Sequence, residues 1–238
     1  MCLLVSIVVV GVVGAILNFG IPLIYGKWCR KALKQSAIAN RTMVLTFDDG
    51  PGNRLTPAIL AILSECNVKA TFFLIGRNIP EREHIVQRIA AEGHDICSHG
   101  FNHLNAWKVW PWQSIRDIKR GWVAIDRVLG TCKGTYPFRP PYGKLNLVTL
   151  LYLWSKYVPI IYWTADIGDT WPQEKRKRQI HMEWVKMHEG AVVLAHDFDR
   201  TTDRIDDYVL EAIQKCLTIA WESQLKVCTF SELRKTVK

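Results

Sequence analysis

Apolar and polar positions divide this chain into short buried strands and amphipathic helices. Arg41-Thr-Met-Val-Leu-Thr-Phe47 is a nearly continuous apolar run that stops at Asp-Asp-Gly-Pro, as expected of a strand buried on both faces. Leu55, Ile59, Leu60 and Leu63 then recur at helical spacing and predict a helix over 55–66. Lys69 to Ile75 reads as a second strand stopped by Gly76, followed by a helix over 81–92 with Ile85, Val86, Ile89 and Ala90 on one face. His94 to Cys97 is a short third strand, and Ile115, Ile118, Trp122, Ile125 and Leu129 predict a helix over 113–129. Val158 to Trp163 and Gly190 to Ala195 are apolar strands, 206–221 is a helix, and Lys226 to Phe230 is the last strand. Strands alternating with helices predict an α/β fold built on a parallel sheet or barrel. No repeat, low-complexity stretch or linker divides the region from residue 41 onward.

The N-terminus follows a different pattern. Residues 1–26 carry no charge, and Leu3 to Leu17 is dominated by Val, Ile, Leu, Gly and Ala. A membrane span needs about 20 apolar residues. A cleaved signal peptide would carry basic residues before the run and a small-residue cleavage site after it. No Lys or Arg precedes the run, and the one Ala-x-Ala, at residues 37–39, lies beyond a basic cluster. The segments predicted are therefore a transmembrane anchor over 1–26, a basic juxtamembrane linker over 27–40 and a domain over 41–238.

Composition and charge refine this picture. Hydrophobic residues make up 49% of the 238, a globular proportion. Lys27, Arg30, Lys31 and Lys34 supply +4 of the net +9, leaving 27 bases against 22 acids elsewhere. A basic collar beside a membrane segment accounts for much of the charge, and no nucleic-acid recognition motif is present. The positive-inside rule leans the domain toward the cytoplasmic side. The seven cysteines contain no CxxC pair, so they form neither a disulfide framework nor a zinc ribbon. They read as small core hydrophobes, favouring a reducing compartment.

In a parallel α/β barrel, catalytic groups gather at the C-terminal ends of strands. The polar residues of interest fall at such ends: Asp48 and Asp49, His99 and His103, Asp166 and Asp169, His196 and Asp197, with Arg139 heading Arg-Pro-Pro-Tyr-Gly. His99 and His103 share a face if their segment makes a helical turn. Two imidazoles and a carboxylate make a three-ligand metal site with one position left for water. By itself, His-x3-His also arises by chance, and adjacent acids at a strand end also serve as helix caps. Two adjacent carboxylates can instead divide labour, one binding metal and one accepting a proton. His84, His94, His181 and His188 read as surface or core residues, and Glu65, Glu81, Glu83 and Glu92 as solvated helix faces.

Taken in order, Thr46-Phe-Asp-Asp-Gly-Pro51, His99-Gly-Phe-Asn-His103, Arg139-Pro-Pro-Tyr142, Asp166-Ile-Gly-Asp169 with Trp171, and Leu194-Ala-His196 resemble the five motifs of the NodB-homology polysaccharide deacetylases, the family-four carbohydrate esterases. The likeness extends through Val68 to Gly76 and Thr229 to Leu233, the latter resembling the family's terminal strand-turn, and covers residues 41–235. The resemblance implies a distorted (β/α)7 barrel that removes an N-acetyl or N-formyl group from an amino sugar of a glycan. It implies Asp48 as general base, and Asp49, His99 and His103 as ligands of a divalent metal, zinc or another first-row ion. Arg139 would hold the base, the N–H of Tyr142 would stabilise the oxyanion, and His196 would be the general acid oriented by Asp166. Leu194, Trp171 and Pro140 would line the substrate pocket. Gly100 stands where the family usually has Ser or Thr, whose hydroxyl braces the loop, so a looser ligand turn is expected. Thr170 adds one residue between Asp169 and Trp171.

Partners follow from these features: an amino-sugar glycan, a membrane and no nucleic acid. A lipid-linked sugar is suggested by the anchor, by Trp107, Trp110 and Trp112, and by Lys175-Arg-Lys-Arg178, which would meet lipid phosphates. The alternative is an inactive, membrane-anchored sugar-binding module on the same fold; the retention of Asp48, Asp49, His99, His103 and His196 argues against it. No H-E-x-x-H segment suggests a zinc peptidase.

Overall fold

The computed structural model of the chain describes residues 13–199 and 203–236. Its strands are β1 (Thr42–Asp48), β2 (Thr71–Leu74), β3 (Asp95–Ser98), β4 (Ala165–Asp166), β5 (Ala191–His196) and β6 (Lys226–Val227). The order is β3-β2-β1-β5-β4, and every pairing is parallel. β5 follows one edge of β1 along its length, while β6 pairs Thr42 and Met43 and β2 pairs Thr46 to Asp48. β6 is thus wedged in at the base of β1, which distorts the ring. Isolated parallel bridges join Ser98 to Phe138 and Phe138 to Ile160, bringing the sheet round to the segment that enters β4.

The expected strand over 158–163 is reduced to that bridge. Pro159 has no N–H to donate, and the carbonyls of Ile161 and Tyr162 are taken by the side chain of Arg139 rather than by a ladder. The last expected strand is also cut short. Thr229 and Glu232 exchange side-chain and backbone hydrogen bonds, a capping box that starts a helix at Phe230 where a strand was expected to continue.

The helices are α1 (Ile21–Ala39), α2 (Leu55–Glu65), α3 (Glu83–Ala91), α4 (Pro111–Leu129), α5 (Leu147–Ser155), α6 (Gln173–Met187), α7 (Asp203–Glu222) and α8 (Phe230–Thr236). The four expected between residues 55 and 221 all form. Helices α5 and α6 were not anticipated. α5 is too uniformly apolar to show a period, and its start is set by Asn146, whose side chain accepts the Thr149 N–H. α6 is polar almost throughout and buries only Trp184 and Met187.

Both faces of β1 are buried. Met43, Leu45 and Phe47 meet the surrounding helices, whereas Val44 packs with Phe73, Cys97, Ile161, Val192, Phe230 and Leu233. The strand period of two carries this inner face from Val44 to Thr46 and then Asp48. The barrel therefore has an apolar floor and a polar upper end. Six described cysteines are free, and four of them are buried, in keeping with core packing.

From Val13 onward the N-terminal region is helical, which departs from the expected linker. A π-helical turn, Ile16–Gly20, runs directly into α1, so residues 27–39 are helix and not a linker. Helix α1 buries Pro22, Gly26, Cys29 and Ala37 against the domain. Among the described residues, no helix is long and apolar enough to cross a membrane. Residues 1–12 of the expected anchor lie outside the described residues. A side chain at Gly26 would bring its Cβ to 3.2 Å from the Tyr162 ring. Gly26→Leu is expected to overpack this contact at a cost of about 1–3 kcal/mol. A lowered melting temperature and faster tryptic cleavage at Lys27, Lys31 and Lys34 would report it; unchanged values would mean that α1 is not docked there.

Candidate active site

The upper layer of the barrel is built by register. Asp48 and His196 are direct partners at the ends of β1 and β5. Arg139, fully buried, enters between them and the far wall. Its Nη1 donates to Asp48 Oδ1 at 2.8 Å and to Thr46 Oγ1 at 2.8 Å, and Nη2 and Nε reach the Tyr162 and Ile161 carbonyls. The guanidinium lies 4.0 Å over the Phe73 ring. Burial pushes the Asp48 carboxyl above the ordinary carboxylate value, with Arg139 pulling against that rise.

Asp49, His99 and His103 converge beside this pair. Asp49 Oδ1 lies 3.6 Å from His99 Nε2 and 3.4 Å from His103 Nε2. Ligand atoms about 2.0–2.1 Å from a tetrahedral zinc stand about 3.4 Å apart, so the spacing fits an ion. Two further observations agree. Asp49 Oδ1 is buried without a hydrogen-bond partner, and His99 Nδ1 lies 2.8 Å from the Arg139 carbonyl. That bond places the ring proton on Nδ1 and frees Nε2 for a metal. Burial pulls the His99 imidazole down to about 3, keeping it neutral as a ligand must be.

The two histidines do not share a helical turn. Residues 99–104 form an irregular loop in which Gly100 and His103 have positive φ values of 83° and 59°. The loop is braced by Asp117 of α4, a residue that sequence reading missed. Its carboxylate accepts the N–H groups of Phe101 and Asn102, each at 2.9 Å, and the Asn102 side chain. A Cβ on Gly100 would lie 2.6 Å from Asp117 Oδ2. The glycine that suggested a looser turn is what lets the carboxylate in. Gly121 allows α4 itself to close on the loop, because a Cβ there would lie 2.7 Å from the Gly100 carbonyl. The only sequence signal for Asp117 is an acid on the inner face of an amphipathic helix.

The orienting partner of His196 is Asp169, not Asp166. Both oxygens of Asp169 lie 3.1 Å from His196 Nδ1, and Oδ2 also accepts the His196 N–H. Asp166 instead accepts the Gly168 N–H at 2.7 Å, and burial lifts its carboxyl to about 6. The reason is local: Gly168, at φ 74°, turns the chain so that Asp169, three residues past the strand, points inward. Burial pulls the His196 imidazolium down, but Asp169, Asp49 and Asp48 outweigh it and raise the group to about 9.

The remaining expected residues are distributed as follows. Tyr142, at φ 58°, brings its ring 4.6 Å from that of His103, while Pro140 is buried within the turn. Leu194 is buried on β5 one layer below His196. The inserted Thr170 is taken up in a turn closed by the Trp171 N–H and the Gly168 carbonyl, and Lys175 lies 4.1 Å over the Trp171 ring. With Lys175 on Trp171, Arg176 on Tyr208 and Lys177 paired with Glu174, the basic run 175–178 is largely engaged within the protein. Asp197 is buried beneath the Asp48–Gly50 turn and accepts from Thr56 Oγ1 at 2.7 Å.

A parallel α/β barrel with a carboxylate–imidazole pair beside an Asp-His-His cluster has the donor set that metal-assisted hydrolysis requires. The polysaccharide deacetylase profile matches residues 36–156, and the chain belongs to that family. The peptidoglycan-N-acetylglucosamine deacetylase PgdA of Listeria monocytogenes is 33% identical over 168 residues, covering 70% of this chain and 34% of the relative. The chain thus spans about a third of that relative's length. A chitooligosaccharide deacetylase of Bradyrhizobium is 29% identical over 159 residues, covering 66% of this chain and 71% of the relative. The structure of the Bc1960 peptidoglycan N-acetylglucosamine deacetylase superposes with a TM-score of 0.72 at 28% identity, covering 82% of this chain and 88% of that one.

The loop brace generates a prediction. Asp117→Ala should weaken zinc binding by about 10–100-fold, the usual effect of losing a group that holds ligands in place. Gly100→Ser, although it restores the residue usual in the family, should also weaken binding, because it strains a positive-φ position and displaces Asp117. Competition with a chromogenic chelator measures both; wild-type affinity in Asp117→Ala would show that the loop is held otherwise.

Proposed function

We propose that this chain is a metal-dependent N-deacetylase that removes the acetyl group from N-acetylglucosamine residues of a glycan. The observation that carries the reading is the facing pair Asp48 and His196 beside the Asp49–His99–His103 cluster. The names of the relatives, which refer to peptidoglycan and chitooligosaccharides, support the sugar. A divalent ion, zinc or another first-row metal held by Asp49, His99 and His103, would polarise the acyl carbonyl and acidify water. Asp48, fixed by Arg139, takes the proton of the attacking water. The N–H of Tyr142 donates to the oxygen that gains charge. His196, held by Asp169, gives a proton to the departing amine nitrogen, so that acetate and a free amine leave. Leu194 and Trp171 border the acyl methyl, and the smaller N-formyl group would undergo the same chemistry.

The finer reading places the enzyme at a membrane, with the domain on the cytoplasmic side and an amino sugar linked to a lipid as substrate. The uncharged segment 1–26 and the bases after it support this. Mass spectrometry of chitooligosaccharides, peptidoglycan fragments and lipid-linked amino sugars incubated with the zinc-loaded chain tests the activity. Loss of an acetyl group from none of them would overturn the reading.

Asp48→Asn is expected to retain zinc while turnover falls by about 10²-fold or more. Metal content and kcat measured on the same sample decide this, and undiminished turnover would assign the base elsewhere. The general acid works in its protonated form, so activity depending on it is present below the His196 pKa and lost as pH rises through it. With Asp169→Asn the chief partner that raises this group is gone. The alkaline limb of the kcat/KM profile should therefore move to lower pH, and an unmoved limb would exclude His196 as the acid.

A further inference from the structure

The outer helices run antiparallel to the strands, so their N-terminal ends rise toward the catalytic end of the barrel. Helix α1 shows this contact by contact. Gly190, just before β5, packs against the Ala37 carbonyl at the base. Gly26 meets Tyr162, and the Phe19 ring lies tilted 5.3 Å from that of Trp107, four residues past His103. Helix α4 behaves alike: Gly121 touches Gly100 in the ligand loop, leaving its first residues above that level. At about 1.5 Å per residue, Leu17 rises ~13 Å above Gly26 and Trp112 ~13 Å above Gly121.

These raised ends are apolar and exposed. Ile16, Leu17 and Ile24 on the N-terminal helix and Val148 at the start of α5 face solvent. Trp110 and Trp112 are 65% and 59% exposed and stack on each other at 5.0 Å. Lower on the same helices come Lys27, Arg116 and Lys119, all exposed and, among the described residues, without an acidic partner, Lys119 lying 5.4 Å over the Tyr152 ring. Apolar tips with tryptophans at the margin and bases behind them match the layering of an anionic bilayer surface. The sequence before Val13 is uncharged as well. A protein partner would supply acids to these bases but would not call for a protruding tryptophan stack joined to an uncharged N-terminal run.

We propose that the catalytic end of the barrel seats on an anionic lipid surface through Ile16, Leu17, Ile24, Val148 and the Trp110–Trp112 stack, with the bases of α1 and α4 at headgroup depth. The site then opens toward the bilayer and reaches glycan held close to it. This deepens the membrane reading above and assigns the phosphate-facing bases to α1 and α4 in place of residues 175–178.

Flotation of the full chain with vesicles of phosphatidylcholine, alone or with phosphatidylglycerol, tests the seat. The chain should float with the anionic vesicles and less with the neutral ones. Arg116→Gln with Lys119→Gln should lower the anionic partition by about tenfold or more, at about 1 kcal/mol for each base. Trp110→Ser with Trp112→Ser should lower partition into both, with thermal melting confirming that each variant is folded. Equal flotation of both variants and the unaltered chain would overturn the proposal, leaving the N-terminal run as the sole attachment. Absence of flotation combined with tryptophan-dependent dimerisation in solution would overturn it in favour of a second copy of the chain. Acetyl release from soluble chitooligosaccharides is scored separately, so failure of the deacetylase reading and failure of the lipid seat are distinguishable.

Discussion

The site depends first on a buried charge. A guanidinium without solvent carries a desolvation penalty of several kcal/mol unless its donors are matched, and Arg139 has them matched by Asp48, Thr46, Ile161 and Tyr162. Its backbone joins the same lattice, donating to the Ser98 carbonyl and lying against His99 Nδ1 through its own carbonyl. One residue therefore closes the barrel between β3 and the 159–163 segment, holds the Asp48 carboxylate and selects the tautomer of His99. The irregularity of the 159–163 segment follows from this, because carbonyls engaged by Arg139 are withdrawn from strand pairing.

Around that centre, each loop of the candidate site is held by a carboxylate from another element. Asp117 of α4 gathers the ligand loop between His99 and His103. Asp169 holds His196 by ring and backbone. Past β5, Asp197 lies under the Gly50 turn, and Asp199 accepts the N–H groups of Asn53, Arg54 and Leu55 at the start of α2. The turn bearing Asp48 and Asp49 is thus fastened by the chain that follows His196. Asp48, His196 and the Asp49–His99–His103 cluster share their supports, so packing changes beneath one are felt by the others.

Much of this was legible in the chain. The apolar run ending at Asp48 and the helical periods at 55–66, 81–92, 113–129 and 206–221 specify burial directly, because period and polarity are local properties. The positions of Asp48, Asp49, His99, Arg139 and His196 at strand ends were legible for the same reason, and the ordered motifs made the family recognisable. The uniformly apolar α5 and the polar α6 gave no period to read. The basic run at 175–178 looked free because a sequence does not show that Trp171, Tyr208 and Glu174 would take three of its four charges.

What the sequence by itself determined is which residues have the chemistry and which faces must be buried. Only the tertiary structure decided which groups meet. It gave His196 to Asp169 because a glycine turn aims that carboxylate inward. It replaced a missing loop hydroxyl with Asp117, which enters through the space left at Gly100. It also made residues 27–39 a packed helix, because Gly26 and Ala37 fit against Tyr162 and Gly190. Each of these depends on distances between elements far apart in the chain, which a one-dimensional pattern of polarity does not encode.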